Sequence, residues 1–71
     1  MMETRSEHVA WCKKRALEYV DNGDLGQAFS SMVSDMQKHP ETSIQPILLQ
    51  AGMMELQRGP IAVRHWIEGF N

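Results

Sequence analysis

Hydrophobic residues recur at three- and four-residue spacings along most of this 71-residue chain, a pattern typical of amphipathic helices. The clearest apolar positions are Val9, Cys12, Ala16, Tyr19 and Val20 in the first stretch and Val63, Trp66, Ile67 and Phe70 in the last. The pattern predicts an all-α fold, a small bundle of four helices, at about residues 5–22, 25–38, 46–57 and 60–70. We expect a single domain over residues 1–71, with residues 1–4 disordered.

Residues with strong terminal preferences mark the ends of the first two helices. Thr4, with Glu7 three residues later, has the form of a capping box. Gly23 can adopt the left-handed conformation that closes a helix, and Asp24 can cap the helix that follows. Because only about three residues separate these two helices, we expect them to form an antiparallel hairpin.

The third predicted helix is apolar nearly all round its circumference. Its apolar residues are Ile47, Leu48, Leu49, Ala51, Met53, Met54 and Leu56. It is therefore predicted to be the most buried helix if the chain is monomeric, and the main contact surface if it is not. Gly52 in its middle predicts a close approach by a neighbouring helix, because glycine otherwise weakens a helix. In the fourth helix, Trp66 and Phe70 are expected in the core.

The hairpin carries residues of a known repeat motif. The set is Ala16, Tyr19, Gly23, Asp24, Leu25, Ala28, Met32 and Pro40. At this spacing the segment 16–40 resembles a single tetratricopeptide repeat, which implies that small and aromatic residues pair where two helices touch. Cys12 stands where that motif has a large residue, and Asp35 where it has a small apolar one. Only one repeat is visible, so a stacked solenoid is not supported.

Most of residues 12–70 also resembles small uncharacterised helical proteins of bacteriophages and prophages. The segments that carry the resemblance are 16–19, 23–25, 31–32, 34–36, 38–41 and 63–70, the last reading Val-Arg-His-Trp-Ile-Glu-Gly-Phe. The resemblance implies a phage-type protein that acts inside the host cell. It implies no particular activity and no site residues.

Candidate chemistry along the chain is sparse. His8 and Cys12 lie four residues apart and could face one metal ion, but two ligands do not complete a zinc site. We expect instead a buried thiol beside a surface histidine, with no metal and no cofactor. Asp35, Glu55 and Glu68 are isolated carboxylates, and no phosphate-binding loop or catalytic triad can be assembled. The sequence predicts neither an enzyme nor a small-molecule substrate.

The charge pattern gives no strong attraction for nucleic acids. The formal net charge is -2, and the only basic run, Lys13-Lys14-Arg15, spreads around its helix instead of forming one stripe. The apolar stretches are too short to span a membrane, and the first residues do not form a secretory signal. With a single cysteine, the chain is expected in the cytoplasm.

The third helix carries more apolar residues than one buried side requires, and the sequence contains no pattern of a catalytic or metal site. Together these features favour a binding function. We expect a small protein-protein interaction module that docks on a host or phage protein. The sequence is also compatible with a homo-oligomer. Candidate contact residues are Trp11, Met36, Leu49, Met53 and Leu56. One alternative is a nucleic-acid-associated regulator that uses Lys13 to Arg15, Arg58 and Arg64. A second alternative is a structural subunit of a virion or complex.

Overall fold

A computed structural model of the chain describes residues 4–70 and contains, within that range, four α-helices and no strand. The elements in chain order are α1 (Arg5–Asp21), α2 (Leu25–Met36), a short 3-10 helix (Pro40–Thr42), α3 (Pro46–Arg58) and α4 (Pro60–Glu68). The predicted all-α fold is confirmed, and each predicted helix boundary lies within two residues of the observed one.

The start of α1 is fixed by the predicted capping box. The Thr4 hydroxyl accepts a hydrogen bond from the Glu7 amide at 3.1 Å, and the Glu7 carboxylate accepts one from the Thr4 amide at 3.3 Å. Two backbone donors that a helix start leaves without partners are thereby satisfied. Thr4 thus belongs to an ordered helix start, and the rest of the segment predicted to be disordered, residues 1–3, lies outside the described residues.

Helices α1 and α2 form the expected antiparallel hairpin, with a turn over residues 22–24. Gly23 has a φ of 78°, in the left-handed region where a glycine is favoured. Asp24 caps α2 by accepting a hydrogen bond from the Gln27 amide at 3.3 Å. The buried hydrophobic core of the described residues consists of Val9, Cys12, Ala16 and Val20 of α1, Ala28, Met32 and Met36 of α2, Ile44, and Val63 and Ile67 of α4.

Helix α2 ends at Met36, two residues before the predicted end. Pro40 disfavours helical geometry at the preceding residue, and His39 is extended with φ -124° and ψ 133°, so the chain has left the helix by that position. The buried Thr42 hydroxyl then donates to the Met36 carbonyl at the end of α2, and the same hydroxyl lies 3.2 Å from the His39 carbonyl. The 3-10 helix therefore closes the end of α2.

Helix α3 contributes no side chain to the buried core, although it is rich in apolar residues. Its one buried residue is Gly52, which lies against the rings of Phe29 and Trp66. A Cβ added there would lie 2.5 Å from Phe29 Cε1 and 2.6 Å from Trp66 Cζ2, so the predicted close approach at Gly52 is confirmed. Trp66 also donates from Nε1 to the Leu48 carbonyl at 3.0 Å. The prediction that α3 is the most buried helix of a monomer is wrong.

Helix α4 joins α3 through Gly59, whose φ of 111° lies in the left-handed region. Trp66 and Phe70 are half-buried and pack on the core from outside, with ring centroids 5.0 Å apart. The prediction that both lie in the core is met only in part, because they pack against the buried residues without being enclosed by them. Among residues 4–70, no helix combines the length and the apolar character needed to cross a membrane.

Candidate protein-interaction surface

The side of α3 that faces away from the bundle carries large exposed hydrophobic side chains. Exposed fractions are 70% for Ile47, 55% for Met53 and 66% for Met54. At 100° per residue, Ile47 and Met54 lie almost on one line along the helix, with Ala51 between them and Gly52 turned inward. We call the set Ile47, Ala51, Met53 and Met54 the outer face of α3. The exposed polar residues Gln50, Gln57 and Arg58 lie on the same side of the helix.

The candidate contact residues predicted on α2 and α3 do not form one surface. Met53 is exposed and belongs to the outer face, whereas Leu49 and Leu56 are half-buried and pack against the core. Met36 is buried, with 2% of its surface exposed, because it lies on the core side of α2. Its assignment as a contact residue is therefore wrong for this fold.

Trp11 lies apart from the outer face, on α1. It is 39% exposed, and two cations lie over its ring: the Arg15 guanidinium carbon at 4.9 Å and the Lys38 ammonium at 5.3 Å from the centroid. Such contacts attract a cation to the negative face of an aromatic ring. Trp11 thus already has neighbours in its own chain that cover part of its ring.

Asp35 holds these two cations in place. A carboxylate on an amphipathic helix is expected on the solvent side, but only 4% of the Asp35 surface is exposed. Its carboxylate accepts from Arg15 Nε at 3.0 Å and from the Ser31 hydroxyl at 3.3 Å, and lies 3.2 Å from Lys38 Nζ. These charged partners compensate for the removal of the carboxylate from water. The cluster ties α1 to the C-terminal end of α2.

His8 is also buried, which corrects the expectation of a surface histidine. Its Nε2 lies 2.9 Å from the Asp35 backbone carbonyl and 3.6 Å from Cys12 Sγ. Because a carbonyl oxygen can only accept, Nε2 carries the proton of that hydrogen bond. Within residues 4–70, no group of three or more histidine, cysteine or acidic side chains is arranged to hold a metal ion.

Four of the five basic side chains named for the nucleic-acid alternative have acceptors within the chain, and the fifth, Lys14, is exposed. Arg58 pairs with Glu55 at 3.3 Å, Arg64 with Asp21, and Arg15 with Asp35. Lys13 donates to the Glu68 carbonyl at 3.1 Å. Since these neighbours neutralise or engage the cations, they reduce the positive potential available to a phosphate backbone.

A cleft of about 270 Å³ lies between the connector after α2 and the start of α3. Its lining includes Glu41, Thr42, Ser43 and Gln45 together with Leu48. Small-molecule sites are mostly larger, about 300–1,000 Å³, and predominantly apolar. The cleft is therefore a weaker candidate for a binding site than the outer face of α3.

The apolar pattern of α3 predicts a contact surface, but Ile47 and Met54 are not among the contact residues that it predicts. The signal that could have found them is Gly52, because a glycine that admits two aromatic rings marks the inner side of its helix. Ile47 and Met54 lie on the side opposite to it. Comparison with models of protein families, with curated proteins and with solved structures found no match to this chain.

Proposed function

We propose that this protein is a protein-interaction module and that the outer face of α3 contacts its partner. The observation that carries the proposal is the exposure of Ile47, Met53 and Met54 on a helix that adds no side chain to the buried core. Large apolar side chains exposed on the surface of a monomer often mark an interaction site when they lie close together. A helix face of this kind is the usual form of a helix-to-groove or helix-to-helix contact.

The composition of the outer face supports an apolar partner surface. No charged residue occurs between Pro46 and Met54, and the first one, Glu55, is half-buried and pairs with Arg58. Charged residues are depleted at the centres of protein interfaces, and methionine is enriched there. Methionine also adapts its shape to a partner, because its unbranched side chain has three rotatable bonds.

The class of partner follows from the resemblance to small phage and prophage proteins. We propose a host or phage protein inside the host cell, on which this chain docks as a modulator. The exposed apolar face supports binding, and the resemblance supports only the setting in which the binding occurs.

Paired capture tests the proposal. Three proteins serve as baits at equal concentration: the wild type, Met54→Glu and Ser34→Glu. Ser34 is an exposed position on α2 and provides the control. Circular dichroism first shows that the three have equal helix content. A retained protein would then be purified and its affinity measured directly. We expect Met54→Glu to weaken binding at least tenfold, because a buried charge at an apolar contact is costly, and Ser34→Glu to leave it unchanged. Equal binding by all three baits, or the absence of any specific partner, would contradict the proposal.

A further inference from the structure

We infer that Met53 and Met54 form a site of reversible oxidation, at which a peroxide turns the outer face of α3 from apolar to polar without unfolding the chain. The inference rests on the proposed function in one respect, because a polar outer face would release the protein bound there. The oxidation itself is a property of the isolated chain.

The methionines within the described residues divide into an exposed pair and a buried pair. Met53 and Met54 are 55% and 66% exposed, whereas Met32 and Met36 are 0% and 2% exposed. A peroxide in solution reaches the exposed pair directly, but it reaches the buried pair only when the hairpin opens. Oxidation of the folded chain is therefore directed to α3.

The exposed pair lies where an added oxygen atom does not disturb the fold. Gly52 marks the inner side of α3, and Met53 and Met54 follow it at about 100° and 200° around the helix. Neither methionine belongs to the buried core or to the half-buried side chains that pack against it. A sulfoxide at Met32 would instead place a polar group in the core, which destabilises a fold.

The reaction is the transfer of one oxygen atom to a thioether. Hydrogen peroxide gives the oxygen to the methionine sulfur, which is oxidised to a sulfoxide, and the peroxide is reduced to water. Because a sulfoxide is polar, two of the three large apolar side chains on the outer face become polar. The single thiol of the chain, Cys12, is fully buried and does not compete for the oxidant. A methionine sulfoxide reductase restores the thioether.

Peptide mass spectrometry tests the site. Trypsin cleaves after Arg15, Lys38 and Arg58, so the buried pair falls on peptide 16–38 and the exposed pair on peptide 39–58. In folded protein treated with hydrogen peroxide, peptide 39–58 should gain oxygen at least about tenfold faster than peptide 16–38. In urea, where the chain is unfolded, the two rates should become equal. Equal rates in the folded protein would overturn the inference.

Hydrophobic-interaction chromatography tests the change in the outer face without a partner. Oxidised wild type should elute earlier than reduced wild type, with the same helix content by circular dichroism. The double variant Met53→Leu/Met54→Leu keeps apolar side chains of similar size and should not shift on peroxide treatment. It retains Met1 and Met2, so a shift caused by those residues would appear in both proteins. An equal shift in both proteins, or a loss of helix on oxidation, would overturn the inference.

A protein retained in the paired capture provides a separate test of the consequence for binding. Peroxide should weaken its binding to the wild type at least about tenfold, leave binding to the double leucine variant unchanged, and lose its effect after treatment with the reductase. If Met54→Glu weakens binding but oxidation does not, release by oxidation is excluded and the interaction module stands. If no protein binds through the outer face, the proposed function fails, and the peptide and column results alone decide the oxidation site.

Discussion

The two helical pairs of this molecule are joined in the same way but are stabilised differently. In each pair a glycine with positive φ follows the first helix, Gly23 in one and Gly59 in the other. The α1–α2 hairpin supplies seven of the ten buried hydrophobic residues, whereas in the α3–α4 pair only α4 contributes, with Val63 and Ile67. Apolar composition alone therefore does not decide which helix is buried.

The difference separates stability from binding within one small chain. The hairpin is stabilised by the burial of its apolar side chains and by the ion pairs around Asp35. Most of its hydrophobic surface is therefore buried within the chain. Helix α3 is attached through Gly52 and the Trp66 ring, which leaves its opposite side exposed. Substitutions on the two helical pairs should consequently have different effects on unfolding.

The largest expected difference is between two methionines. Met32→Ala removes a fully buried side chain from the hairpin and should lower the free energy of unfolding by about 2–5 kcal/mol. Met54→Ala, on the outer face of α3, should change it by less than about 0.5 kcal/mol. Urea denaturation followed by circular dichroism, at a concentration where the protein is monomeric, measures both. Equal losses would mean that α3 is as much a part of the core as α2.

A smaller effect is expected at the glycine that attaches α3. Gly52→Ala places a Cβ against two aromatic rings and should cost about 1–3 kcal/mol of unfolding free energy through overpacking, despite the better helix propensity of alanine. Gly26→Ala is the matched control on α2, since nothing lies within 4 Å of the added Cβ, and it should stabilise the protein by up to about 1 kcal/mol. Thermal unfolding of both variants gives the sign of each effect. A stabilising Gly52→Ala would show that α3 can move away from the rings without loss.

The smallest expected effect concerns the charge cluster of the hairpin. Asp35→Asn keeps the shape of the side chain but removes its charge from Arg15 and Lys38, and should cost about 1–2 kcal/mol because these two cations remain partly in solvent. Asp21→Asn, in the exposed pair with Arg64, should cost less than about 1 kcal/mol. Urea titrations at low and high salt compare the two variants. If Asp21→Asn costs as much as Asp35→Asn, burial adds nothing to the cluster.

The helices and their ends could be predicted from the sequence because local rules fix them. Spacing of apolar residues, the Thr4 box and the glycines act over a few neighbouring residues, and the observed boundaries follow them. The burial of His8 and Asp35 could not be predicted, because each depends on a partner in another helix, 20 or more residues away. One polar residue in a helical pattern does not reveal such partners.

The candidate surface was predicted only in part, for a related reason. Periodicity cannot divide a helix that is apolar all round into an inner and an outer side. The sequence therefore predicts Met53 as a contact residue but not Met54. The division comes from Phe29 and Trp66, which pack on Gly52 and belong to two other helices. The side of α3 left for a partner is thus set by its neighbours in space.

The two tryptophans give the molecule separate optical reporters for its two halves. Trp66 lies between α3 and Phe29, and the centroids of the Trp66 and Phe29 rings are 5.2 Å apart. The emission of Trp66 therefore responds to the detachment of α3. Trp11 lies beneath Arg15 and Lys38, and its emission responds to the opening of the hairpin. Replacing either ring by phenylalanine leaves a single fluorophore, so that the order in which the two helical pairs separate becomes visible in the intrinsic fluorescence of the chain.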